Sequence, residues 1–114
     1  MREIKFRAWD IKRKRYMNDL TVIKVLPLAL DKETSEGLLQ VEQYTGLKDI
    51  NGVDIYEGDI LEDGSGDPIE YWTVKFEDGK FIGSTQGVDE DISELTDLEV
   101  IGNIHENPEL LEEE

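Results

Sequence analysis

Cysteine is absent, histidine occurs once, at 105, and proline occurs three times in 114 residues. Without cysteine there are no disulfide staples, no thiolate zinc sites and no thiol nucleophiles. A lone histidine excludes a multi-histidine metal centre. No apolar run approaches the ~20 residues a membrane-crossing helix needs. Met1 leads into alternating charge rather than the apolar stretch of a secretory leader. The expectation is a cytoplasmic protein with no membrane partner. A chain of this length buries about 65% of its unfolded surface, enough for one modest core.

Charge is abundant and uneven. Asp and Glu number 28 against 12 Lys and Arg, a net of −16. Residues 1–24 hold eight basic and three acidic side chains, a net of +5, so the remaining 90 residues carry −21. Such a split fits a basic arm that reaches an anionic partner, or one that neutralises an acidic body, its own or a neighbour's.

Ile4, Phe6 and Ala8 alternate with Lys5, Arg7 and Trp9, the period of a strand with one buried face. The charged cluster 10–15, followed by Tyr16 and Met17, makes this a hairpin. Residues 20–26 (LTVIKVL) are rich in β-branched side chains and stop at Pro27, which predicts a third strand. Residues 27–37 read as a polar loop with at most one helical turn. A strand over 38–45 is expected to end at Gly46. Asn51-Gly52 is the dipeptide best suited to a type I′ hairpin turn, with Ile50 and Val53 beside it. Tyr56, Ile60 and Leu61 flank Gly58-Asp59 in the manner of residues leading into the second strand of a small SH3-like barrel.

After a flexible acidic loop at 62–68, residues 69–76 (IEYWTVKF) form the clearest strand, with Trp72, Val74 and Phe76 on one face and Tyr71, Thr73 and Lys75 on the other. Residues 77–80 close a hairpin onto 81–83 by ordinary turn chemistry. A second polar loop follows, then one helical turn within 91–97 and a last strand over 98–105. Asn107 is the expected N-cap of a short helix over 109–114, with Pro108 at its first position; the three terminal glutamates oppose the helix dipole and should fray that end. Turn signals every 8 to 12 residues favour a mainly antiparallel β fold.

Chemistry-bearing patterns are few. Asp63, Ser65 and Asp67 have the spacing that begins a calcium-binding EF-hand loop, but its glycine position is Pro68 and its final glutamate position is Val74. Asp89, Glu90 and Asp91 are consecutive and read as a solvated face. His105 beside Glu106 could act as a general base, but no nucleophile accompanies it. No glycine run has phosphate-cradling spacing. No cofactor or metal ligand set is expected, and an enzyme would need a carboxylate site such as Glu57 with Asp59. Lys12, Arg13, Lys14 and Arg15, flanked by Trp9 and Tyr16, make the basic and aromatic grouping used on nucleic-acid surfaces, although the acidic remainder repels phosphates.

Three blocks in order, REIKFRAWD, QYTGLKDINGVDIYEGDIL and LEVIGNIHENPELL, resemble the YopX family of small proteins from bacteriophages and prophages. The resemblance reaches both ends of the chain and implies a mostly β fold with an SH3-like element, a bacterial host cell, self-association and no established activity. It brings no catalytic residue with it. Within these blocks Gly46, Gly52, Gly58 and Gly102 are expected at turns and bulges, Asp59 as a turn brace, and Tyr44, Tyr56, Ile60, Val100 and Ile104 in the core. An exposed Trp9 or Tyr56 would instead belong to an interaction surface.

The expected organisation is one domain, with a basic hairpin arm over 1–26, a variable loop over 27–40 and an acidic SH3-like body over 41–114. The expected function is a non-enzymatic homo-oligomer that meets itself, or a phage or host protein, through Trp9, Lys12, Arg13, Lys14, Arg15, Tyr16 and Tyr56. Two alternatives are a nucleic-acid accessory factor using the basic hairpin and an acidic DNA mimic that inhibits a host protein.

Overall fold

The computed structural model describes residues 5–17, 39–65 and 69–111. The expected strand over 20–26, the loop over 27–37 and the three terminal glutamates lie outside the described residues. The fold is mainly β, as expected, with two compact units, Met1–Tyr44 and Thr45–Glu114.

In the first unit β1 (Phe6–Asp10) and β2 (Arg15–Tyr16) form the expected hairpin, with Trp9 opposite Tyr16 and Asp10 opposite Arg15. The other edge of β1 pairs antiparallel with β3 (Leu39–Lys48), which sets Arg7 opposite Glu42 and Ala8 opposite Val41. The single buried face expected of β1 is not what forms. Ala8, Trp9 and Asp10 are all buried, so both faces are covered at the end of the strand. Trp9 packs edge-on against the Tyr16 ring, with centroids 4.9 Å apart, and Asp10 turns its carboxylate onto the hairpin loop.

The strand expected to stop at Gly46 runs on to Lys48. Gly46 takes a φ of 90° inside it. The Thr45 hydroxyl supports that irregularity by donating to the Ile55 carbonyl (2.8 Å) and accepting from the Leu47 N–H (3.2 Å). Glycine here bends the strand rather than ending it.

In the second unit β4 (Asp54–Tyr56) lies beside β3, and a five-stranded antiparallel sheet follows the order β8-β7-β6-β5-β9. Its strands are β5 (Asp59–Asp63), β6 (Glu70–Glu77), β7 (Lys80–Thr85), β8 (Val88–Asp91) and β9 (Glu99–Asn103). The β5–β9 register shifts between Ile60 and Leu61, a bulge that bends the sheet toward a barrel-like element. Leu61, Trp72, Val74 and Phe81 join Ile55 in the core. Ile92 and Leu95 of the 3-10 turn Ile92–Leu95 close over it. The approach is tight at Gly83, where an added Cβ would collide with Leu95 Cδ1.

Several local expectations change. The type I′ geometry is absent from Asn51-Gly52, where only Gly52 has positive φ and its N–H donates to Asp49 O (3.0 Å). It appears instead at Asp78-Gly79, both with positive φ between Glu77 and Lys80, and at Gln86-Gly87 between Thr85 and Val88. The second of these turns makes β8 from what read as a polar loop. Glu62 and Asp63, assigned to a loop, complete β5. Phe76 shares the face of Trp72 and Val74 but is 47% exposed; it lies near the strand end, edge-on to Phe81. The helical turn after Asp91 is borne out, with the Asp91 side chain capping it through Ser93 N. Asn107 stands before Pro108 at the start of the final 3-10 turn (Pro108–Leu111), as expected, and its carbonyl accepts from Leu110 N (3.1 Å), but its side chain does not cap that turn: Oδ1 accepts from Asn103 N (3.3 Å) and lies over Gly102, which has no room for a side chain.

Candidate functional site

The basic hairpin loop is held by its own first residue. Asp10 Oδ1 accepts from Arg13 N (2.9 Å), Asp10 Oδ2 from the Arg13 guanidinium (3.2 Å), and Asp10 O from Lys14 N (2.8 Å). Lys14 completes the loop at a φ of 58°. The Arg13 backbone N–H holds the Asp10 carboxyl below the usual carboxylate range; burial opposes this, and the Arg13 side chain adds to the lowering. Arg13 is thereby partly committed. Lys12, Lys14 and Arg15 are exposed and form no ion pair among the described residues.

The aromatic neighbours are less free than their sequence positions suggested. Trp9 is buried, and Tyr16 is half-buried beneath the Arg7 guanidinium, 4.5 Å from its ring centroid. The Tyr16 hydroxyl donates to Glu42 Oε1 (2.9 Å), which also accepts from Arg7 Nε (2.8 Å). Arg7, Trp9, Tyr16 and Glu42 share one face because cross-strand partners and alternate residues do. The same face continues to Lys5, whose ammonium lies 4.7 Å from the Tyr44 ring centroid. These contacts brace the hairpin and leave Lys12, Arg13, Lys14 and Arg15 exposed.

Tyr56 belongs to the second unit and is half-buried. Its backbone N–H donates to Oδ2 of buried Asp59 (2.8 Å), which is the turn-bracing role expected of Asp59. Asp59 lies opposite Asn103 in the β5–β9 pair, so the 56–59 turn and the loop carrying His105 are neighbours. That loop is organised by Asn103, which accepts from the His105 and Glu106 N–H groups (3.0 and 2.9 Å) and donates to Glu106 Oε1 (2.8 Å). The carboxylates of Asp59 and Glu106 are thus engaged in holding backbone and loop. Ile60 is fully buried and Tyr44 nearly so, whereas Val100 and Ile104 are half-buried.

Two features escaped the sequence. Asp49 is buried and accepts three backbone N–H groups: Asn51 and Val53 on Oδ1 and Val100 on Oδ2, each at 2.8 Å. Burial alone would raise its pKa, but the N–H donors of Val100, Val53 and Asn51 outweigh it and hold the carboxyl below its usual value. Its place just before a turn was the available signal. The other feature is the outer edge of the five-stranded sheet. An open cleft of about 240 Å³ lies there, with Glu77 and Asp78 on one side and Asp89, Glu90 and Asp91 on the other; Lys80 is its one cation. All four residues of β8 are exposed. Among the described residues no group of three or more acidic or histidine side chains is arranged to hold a metal ion, and no helix is long and apolar enough to cross a membrane.

Among solved structures the chain is similar to the crystal structure of protein EF1440 from Enterococcus faecalis. Identity is 27%, the TM-score is 0.68, and the match covers 98% of this chain and all of that one. No curated protein sequence matches the chain. The YopX protein family model matches residues 5–112, which span both units and every strand described above, and the chain belongs to that family.

Proposed function

We propose that this protein is a non-enzymatic, self-associating interaction module of phage or prophage origin, working in the cytoplasm of a bacterial host. In this reading the basic β1–β2 turn is the contact element presented to other copies. The observation that carries it is the combination of a braced turn and unspent charge: Asp10 holds the loop, while Lys12, Lys14 and Arg15 project with no carboxylate partner among the described residues. Residues 25–114 carry a net −21, so a second copy is itself an anionic partner.

Nucleic-acid binding draws less support from the same geometry. Sequence-tolerant binding of single strands stacks bases on available aromatic faces. Here Trp9 is buried and Tyr16 already carries the Arg7 guanidinium.

Sedimentation of the wild type and of the Lys12→Glu/Lys14→Glu/Arg15→Glu variant near 0.1 M salt tests the proposal. The wild type is expected to associate and the variant to sediment as a monomer. Equal association of the two would refute the proposal. So would a turn-dependent, salt-sensitive affinity for DNA or RNA in a protein that stays monomeric.

A further inference from the structure

Self-association through the basic turn leaves open what receives it. Resting on that reading, we infer that the receiving surface is the outer edge of the five-stranded sheet, where β8 and the β6–β7 turn of a second copy meet Lys12, Lys14 and Arg15.

Three observations lead there. The first is an open edge: among the described residues β8 is the terminal strand of its sheet, and every one of its residues is exposed. An edge strand of this kind pairs with other chains unless charge blunts it, and Asp89, Glu90 and Asp91 blunt it against everything except a cationic partner. The second is unmatched charge. Glu77, Asp78, Asp89 and Glu90 make no side-chain hydrogen bond or ion pair among the described residues, and Asp91 is taken up by Ser93 at the start of the 3-10 turn. With Lys80 the cleft keeps a net charge of −4 against the three unpaired cations of the turn. The third is shape. The two-residue type I′ turns at 78–79 and 86–87 fix the strands on either side, so the carboxylates flank an open cleft, and Lys12, Lys14 and Arg15 at the hairpin turn are all exposed to enter it.

Strand addition does not account for the contact, because β2 contributes only Arg15 and Tyr16. The contact is therefore made by side chains, which sets its salt dependence. At about 0.1 M salt the screening length is ~10 Å, enough to damp the repulsion between whole molecules while sparing pairs in contact; at about 1 M it is ~3 Å and the pairs weaken too.

The test is a charge exchange. One variant reverses the edge, Asp89→Lys/Glu90→Lys, and leaves Asp91 to cap its turn; the other is Lys12→Glu/Lys14→Glu/Arg15→Glu. Each alone should associate at least about tenfold more weakly than the wild type in sedimentation near 0.1 M salt. An equimolar mixture should regain association, since each partner then offers the charge the other lacks. Circular dichroism and thermal melting establish that both are folded. If the edge reversal disturbs β8, the milder Asp89→Asn/Glu90→Gln change should still weaken association and flatten its salt dependence. An edge variant that associates like the wild type, while the turn variant does not, overturns this inference and leaves the self-association reading standing. Folded variants that fail to recover on mixing overturn it as well. A wild type that never associates removes both.

Discussion

Replacing Asp49 by alanine should cost more stability than any other single carboxylate change in the second unit. The side chain is 6% exposed and satisfies three backbone donors, two in its own turn and one, Val100, on β9. Main-chain bonds of the turn persist without it, since Asp49 N still donates to Val53 O and Gly52 N to Asp49 O. Asn51 and Val53 are exposed, so water replaces the carboxylate there at about 0.5–1 kcal/mol each. Val100 is half-buried within the sheet, and its orphaned N–H costs about 1–3 kcal/mol. The sum is about 2–5 kcal/mol, or roughly 10–25 °C in melting temperature for a chain of this size.

Asp49→Asn is the sharper probe. Its oxygen can serve the two turn donors, but its amide then faces the Val100 N–H, donor against donor. pH gives an independent reading. The folded carboxyl titrates below its unfolded value of ~3.9. Its contribution is therefore fully present above about pH 4 and is lost as pH falls through the folded value. Urea unfolding from pH 7 down to about pH 2 should show wild type and Asp49→Asn converging in acid. A loss under about 0.5 kcal/mol for Asp49→Ala at pH 7, or a difference that does not shrink in acid, would refute the reasoning.

Gly83→Ala should cost about 1–3 kcal/mol through collision with Leu95, and less in a Leu95→Ala background where the space is open; a double-mutant cycle reads this as coupling. Glu42→Ala removes the shared partner of Arg7 and Tyr16 and should cost about 1–3 kcal/mol by chemical unfolding, with faster amide exchange in β1 and β2. Trp72 Nε1 is buried with no hydrogen-bond partner. Trp72→Phe should accordingly stay within about 1 kcal/mol of the wild type, because removal of an orphan donor offsets the lost packing.

Strands whose apolar and polar residues alternate cleanly were readable from sequence. Trp72 and Val74 define β6 in this way, and the charged break at 10–15 defines the first hairpin. Turn chemistry was only half readable. Asn51-Gly52 looked like the tightest hairpin, yet Asp49 reaches across to Val100, fifty-one positions away, and gives that turn a different geometry. No local rule contains such a contact. Strand β8 was missed because an edge strand exposed on every residue has no hydrophobic period to detect. Trp9 shows the converse: alternation placed it outward, yet it is buried, edge-on to its cross-strand partner Tyr16, a contact that no local pattern contains. At the candidate surface the cations were legible as a run, whereas their bracing by Asp10 and the acidic cleft beside β8 needed three dimensions.

The central claim is that two unlike surfaces of one chain meet between copies, and molar mass against salt tests it most directly. Light scattering on the wild type should give a multiple of 13.1 kDa near 0.1 M salt, falling toward 13.1 kDa near 1 M as screening reaches the contact pairs. A mass of 13.1 kDa at both, or a larger mass indifferent to salt, would contradict it.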